Sequence, residues 1–296
     1  MKKKKSAAKK RSSAKTGQDS SNIIPFPGKG ELEGMMSGLF GGRSGREPLD
    51  MAQDVAYDAM GAPSSKKRIA LAQKALSISP DCADAYVVLA QEAHYLQEAA
   101  ELYRKGVEAG GRAIGGKKGF KAYGGHFWLH LETRPYMRAS AGLADCLWLT
   151  GQKDEALLHY KDMLRLNPND NQGIRYILVS RLLSAMRDAE AAELLREYED
   201  DASAEWVYAQ ALLSFRKNGD CDESRNALGE AMKYNKHAPE YLLGIKKIPR
   251  SLPDYIGFGD ENEAIAYAEA NIGAWRATSG AIEWLAAMVK RDRKDK

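Results

Sequence analysis

The chain has 296 residues, 44% apolar and 28% charged, which suits a globular protein whose core needs neither disulfide nor metal. Cys82, Cys146 and Cys221 are odd in number and widely spaced, which fits a reducing, cytoplasmic setting better than a secreted disulfide framework. No apolar run reaches the length of a membrane span, no apolar stretch follows the first lysines as in a secretory signal, and no membrane partner is expected.

The net charge of +4 hides an asymmetry. Residues 1–15 hold eight Lys/Arg and no acid, so the other 36 basic residues face 40 acidic ones. A Pro-containing patch and a Gly-rich stretch follow, and residues 1–47 are expected to form a disordered arm, because ordering them would cost more backbone entropy than so few apolar residues return. Gly28-Lys29-Gly30 lacks the strand and helix that a dinucleotide fingerprint requires.

From Leu49 onward the pattern is helical and recurs every 34 residues. The clearest unit begins at Met137: Leu143-Ala144 and Leu147 lie in its first helix, Gly151 in the turn, Ala156, Tyr160 and Met163 in its second, and Pro168 closes it. Units beginning near 49, 83, 171 and 205 repeat these offsets, 171–204 least well and with a one-residue shift in its second helix. Small residues such as Ala90 and Ala144 let paired helices approach closely, and Pro80 and Pro168 end helices.

These residues resemble the tetratricopeptide repeat over roughly 49–238. The stretch from Gly125 to Tyr176 is also similar to uncharacterised repeat proteins of bacterial type, and the segment from Glu240 onward resembles the end of the suppressor-of-tumorigenicity-seven family. The resemblance implies an all-α, right-handed α-solenoid of about five helix hairpins over 48–238. It also implies that the first helices line a concave groove holding a partner segment, peptide or helix.

The groove candidates are Tyr57, Gln91, His94, Arg138, Arg175, Tyr176, Trp206 and Gln210, together with Asp145. Arg138, Arg175, Tyr176 and Trp206 recur near the starts of successive first helices and are expected to converge on one surface.

An insertion of about 20 residues, roughly 107–134, interrupts the second unit. Gly111 and Gly116-Lys117 have the spacing of a phosphate loop, but Lys118 stands where a hydroxyl should hold magnesium, and the preceding pattern is helical. Lys117, Lys118 and Lys121 among Phe120, Tyr123, Phe127 and Trp128 could grip nucleic acid by charge and stacking. The plainer alternative is a flexible loop with its aromatics tucked into the array. His126 and His130 stand four apart without a third ligand or the general-base Glu of a metalloprotease helix.

Residues 239–296 read as an extended segment followed by two helices, Asp260 and Glu263 forming a capping-box variant at the first. These helices are expected to pack back on the array as a C-terminal cap.

No catalytic set, cofactor motif or metal site stands out. The leading function is a protein–protein interaction scaffold that performs no catalysis. The alternative is a nucleic-acid or ribosome-associated factor using Lys2, Lys3, Lys4 and Lys5 of the arm with Lys117, Lys118, Lys121 and Trp128 of the insertion.

Overall fold

The structure, a computed structural model, describes residues 47–253 and 255–292. The basic arm, with Lys2, Lys3, Lys4 and Lys5, lies outside the described residues. Among the described residues there is no strand.

The first hairpin pairs α1 (Pro48–Met60) with α2 (Ser65–Ile78). Pro48 sits in the first turn, where its missing N–H costs nothing, and Ser64 caps α2 by accepting from the Lys67 amide. Ala52, Ala56 and Ala59 recur at helical spacing and form the buried stripe of α1. Next come α3 (Ala83–Gln91) and α4 (Leu96–Ala113), then α5 (Gly116–Tyr123) and two 3-10 turns, Phe127–Leu129 and Leu131–Thr133. Three more hairpins follow: α6 (Arg134–Leu149) with α7 (Lys153–Leu166), α8 (Ile174–Ser184) with α9 (Asp188–Glu197), and α10 (Ala204–Asn218) with α11 (Asp222–Tyr234).

Each second helix packs on its own first helix and on the first helix of the next hairpin, so the five hairpins stack as a helical-repeat solenoid. First helices also touch one another, α1 with α3, α3 with α6, and α8 with α10. Close approach depends on glycine at one crossing: a Cβ on Gly110 of α4 would stand 3.0 Å from both Cα and Cβ of Tyr136 on α6.

The insertion folds instead of forming the flexible loop of the plainer alternative. Its chain leaves after Ala113, since α4 takes in residues 107–113. Phe127 is fully buried against Phe120, Tyr123 and Tyr136, and Thr133 ties the turns by donating to the Phe127 carbonyl.

After α11 come α12 (Ala238–Leu242), α13 (Glu261–Ala277) and α14 (Ala281–Asp292). α14 packs on α11 and α12, as a cap on the last second helix should. α13 lies instead on α8 and α10, both first helices. Aromatic packing fastens it there: Tyr208 meets Tyr267 at 5.2 Å, and Trp275 donates to the Tyr267 hydroxyl at 2.7 Å and stacks on Trp284, which stacks on Phe215.

Candidate functional site

The first helices divide into two stretches. On α1, α3 and α6 a polar thread crosses three successive hairpins: Gln53 donates to Asp84 at 2.6 Å, and Arg138 donates to both oxygens of Asp84 at 2.8 and 2.5 Å. Asp84 is fully buried, so this forked pairing replaces the water that it has lost. Arg138 is therefore committed within the array. Tyr57 on α1 is half-buried and itself partnered, Gln91 is exposed at the far end of α3 from Asp84, and His94 and the neighbouring Tyr95, 72% exposed, lie in the turn that follows α3. Asp145 accepts from the Tyr160 hydroxyl at 2.5 Å.

On α8 and α10 the candidates do converge, but upon one another. Arg175 pairs with Asp170 and Asp201 and lies over the rings of Tyr176 (4.3 Å), Tyr198 (5.4 Å) and Trp206 (6.0 Å). Tyr176 donates to Asp201 at 2.8 Å, and Trp206 is 0% exposed. Burial raises Asp170 against the donors that hold it. Asp201 stays low although burial opposes it, because Ser203, Tyr176 and Arg175 donate to it. Arg138 belongs to the other network, and Gln210 is exposed on α10.

The sequence reading missed what covers this second stretch. Glu263 of α13, 2% exposed, accepts from the Ala204 amide at the start of α10, from Asn235, from the Gly259 amide and from the Tyr234 hydroxyl. A carboxylate there satisfies an orphan amide and the positive helix end together. Only half of the expected capping box forms: Asp260 accepts from the Glu263 amide, whereas the Glu263 side chain turns into the array. Arg216 completes the seam, reaching Asp188, Thr278 and the carbonyls of Leu183 and Ala274. Beside the seam, Glu205 is pushed up to about 7 by burial, with Glu263 and Asp201 adding like charge.

In the insertion, Lys117, Lys118 and Lys121 are exposed, while Trp128 is half-buried with Arg134 over its ring. Of the two histidines, His130 packs on Tyr123 at 4.7 Å. Among the described residues no three His, Cys, Asp or Glu side chains gather as metal ligands, and no helix is long and apolar enough to cross a membrane.

Five stacked helix hairpins make this a tetratricopeptide-like helical-repeat protein. More particularly, the chain belongs to the family described as ST7 protein, whose model matches residues 45–293. It is 27% identical over 232 residues to the suppressor of tumorigenicity 7 protein of Macaca fascicularis, covering 71% of this chain and 43% of that one. The match to the Rattus norvegicus protein has the same identity and covers 40% of it, so the chain spans about two fifths of those relatives' length. Among solved structures it is similar to YrrB, a TPR protein with an unusual peptide-binding site, at 15% identity and a TM-score of 0.45 over 69% of this chain and 92% of that one.

Proposed function

We propose that the chain is a protein-interaction scaffold that performs no catalysis and holds a partner segment, peptide or helix, against the first helices of its first three hairpins. One observation carries this reading: the array already holds a helix in that manner. α13 lies on α8 and α10, anchored by a buried carboxylate and an aromatic cluster. No described helix packs comparably on α1, α3 and α6; Gln91 stays exposed at the end of α3, and His94 and Tyr95 stay exposed in the turn that follows it. A face of first helices with rigid aromatic and polar side chains suits an amphipathic helix or an extended segment.

Capture of partners by the intact chain, followed by affinity measurement with His94→Asp and Tyr95→Asp, tests this. Both residues are exposed, so Tm should hold while affinity falls by about 2–4 kcal/mol for the pair, the range of interface anchors. Undiminished affinity at unchanged Tm would move the site off this face.

The nucleic-acid alternative keeps its exposed lysines 117, 118 and 121 but has lost much of its stacking platform, because Phe127 is buried and Phe120 and Tyr123 pack upon it. A salt titration of oligonucleotide binding with and without residues 1–15 tests it. A steep salt slope that vanishes with the arm would favour that alternative.

A further inference from the structure

The turns of the third and fourth hairpins meet at one edge of the array, and the chemistry there is left incomplete. The guanidinium of Arg181 on α8 lies 4.9 Å from the ring centre of Trp148 at the end of α6, and the Lys153 ammonium lies 5.2 Å from the same centre. Neither cation has a carboxylate at ion-pair distance among the described residues; Arg181 lies against the Tyr160 hydroxyl, and its Nε is closed off without a hydrogen-bond partner. Other first-helix arginines differ: Arg138, Arg175 and Arg216 each hold a carboxylate. Nearby acids are already engaged, Asp145 by Tyr160 and Asp154 by Arg187, and the latter pair ties the two turns at 2.8 Å.

A second observation is independent of charge. α6 and α8 end in the same Schellman arrangement, Gln152 N to Leu147 O and Arg187 N to Leu182 O, each at 2.9 Å. The left-handed position is Gly151 (φ +87°) in one turn and Met186 (φ +56°) in the other. An unbranched apolar residue held in a glycine conformation and 49% exposed costs the fold energy without burying much surface. Leu149, 63% exposed, stands beside Trp148 in the other turn.

We propose that this edge binds a carboxylate-bearing, apolar-flanked segment of a partner protein. The carboxylate is received by Arg181 and Lys153, and the flanking apolar side chains rest on Leu149, Met186 and the open part of Trp148. The inference rests on the interaction-scaffold reading and adds to it a place and a chemistry for the charged anchor. Two cations on one indole, neither paired with a carboxylate of the chain's own, select an anion, and the apolar flanks select a peptide over a bare phosphate.

The test uses the full chain and fluorescence anisotropy with an end-capped, fluorescein-labelled peptide alternating leucine with Asp-Glu pairs. The expected result is saturable binding, about tenfold weaker for the Asn-Gln counterpart and for the Lys153→Gln, Arg181→Gln pair. Met186→Gly should weaken binding while raising Tm by about 2–4 °C, a combination that a purely structural residue would not give. A leucine peptide with a free carboxyl terminus and no acidic side chain tells whether the carboxylate comes from a side chain or a chain end.

Equal binding of the Asn-Gln peptide, unchanged affinity in the cation variants, or no binding up to about 1 mM would overturn the proposal. An oligonucleotide that competes more strongly and loses affinity in the same variants would make this a phosphate site and overturn it as well. If captured partners still respond to His94→Asp and Tyr95→Asp while these peptides fail, this site falls and the scaffold reading stands. If the peptides bind as expected and those variants leave capture unchanged, the edge stands and the first-helix face falls.

Discussion

Arg175 offers no free fork to a partner. Its guanidinium lies between two carboxylates whose side chains are only 1% and 7% exposed. Removing it leaves those charges without their cation in a place where water cannot replace it, and such losses run to about 3–5 kcal/mol. Arg175→Ala should therefore lower unfolding free energy by about 3 kcal/mol in a urea titration; a loss under about 1 kcal/mol would show that the aspartates find other partners.

Glu205 gives the opposite case, a carboxylate that the fold disfavours. Its folded pKa, raised to about 7 from an ordinary 4.5 by burial and by the charges of Glu263 and Asp201, means that the folded state keeps a proton that the unfolded state has lost. Stability therefore falls as pH rises from about 4.5 to 7 and levels off above that. Glu205→Gln should remove the penalty, stabilising the chain by about 1–2 kcal/mol at pH 8 and by almost nothing at pH 4, allowing for partial solvent screening. Parallel pH–stability curves for the two proteins would contradict this assignment.

At the scale of the helix, glycine has two meanings in this chain, and packing decides between them. Gly110 holds α4 against α6, and a methyl group there would press on Tyr136 backbone at 3.0 Å. Gly229 of α11 and Gly273 of α13 would meet nothing within 4 Å. Gly110→Ala should cost about 1–3 kcal/mol from overpacking, whereas Gly229→Ala and Gly273→Ala should each gain about 0.5–1 kcal/mol from unfolded-state entropy. Thermal melts of the three variants give the comparison, and a stabilising Gly110→Ala would mean that the α4–α6 crossing is loose. α13 depends on one side chain in the same way. Glu263→Ala orphans the Ala204 amide and Asn235 together, so hydrogen exchange should rise in α13 and the first turn of α10 before it rises in α6 or α7.

For the whole molecule, the 34-residue period made the five hairpins legible, because Leu143-Ala144, Ala156 and Tyr160 occupy buried positions that every repeat must fill. It also brought Arg175, Tyr176 and Trp206 together, since equivalent offsets on stacked helices fall on one line. Their role was not legible. An apolar face on a first helix looks the same whether a partner or the chain's own α13 covers it, and the contact that settles it joins Ala204 to Glu263 across 59 residues. The edge at Trp148 left one trace: the fourth repeat fits the pattern least well, and Met186 stands there where the preceding repeat has Gly151. Arg181 gave no sequence signal, because an arginine without an acid is recognised only from its surroundings.

The central claim is that the first helices of the first three hairpins receive a partner while α8 and α10 are already covered. Hydrogen exchange of the intact chain with and without a captured partner tests it most directly. Added protection is expected in α1, α3 and α6 and, where the edge at Trp148 is engaged, in the turns after α6 and α8, with α10 and the part of α8 beneath α13 unchanged. Protection confined to α5 and the 3-10 turns, or protection in α8 and α10 with loss of protection in α13, would contradict it.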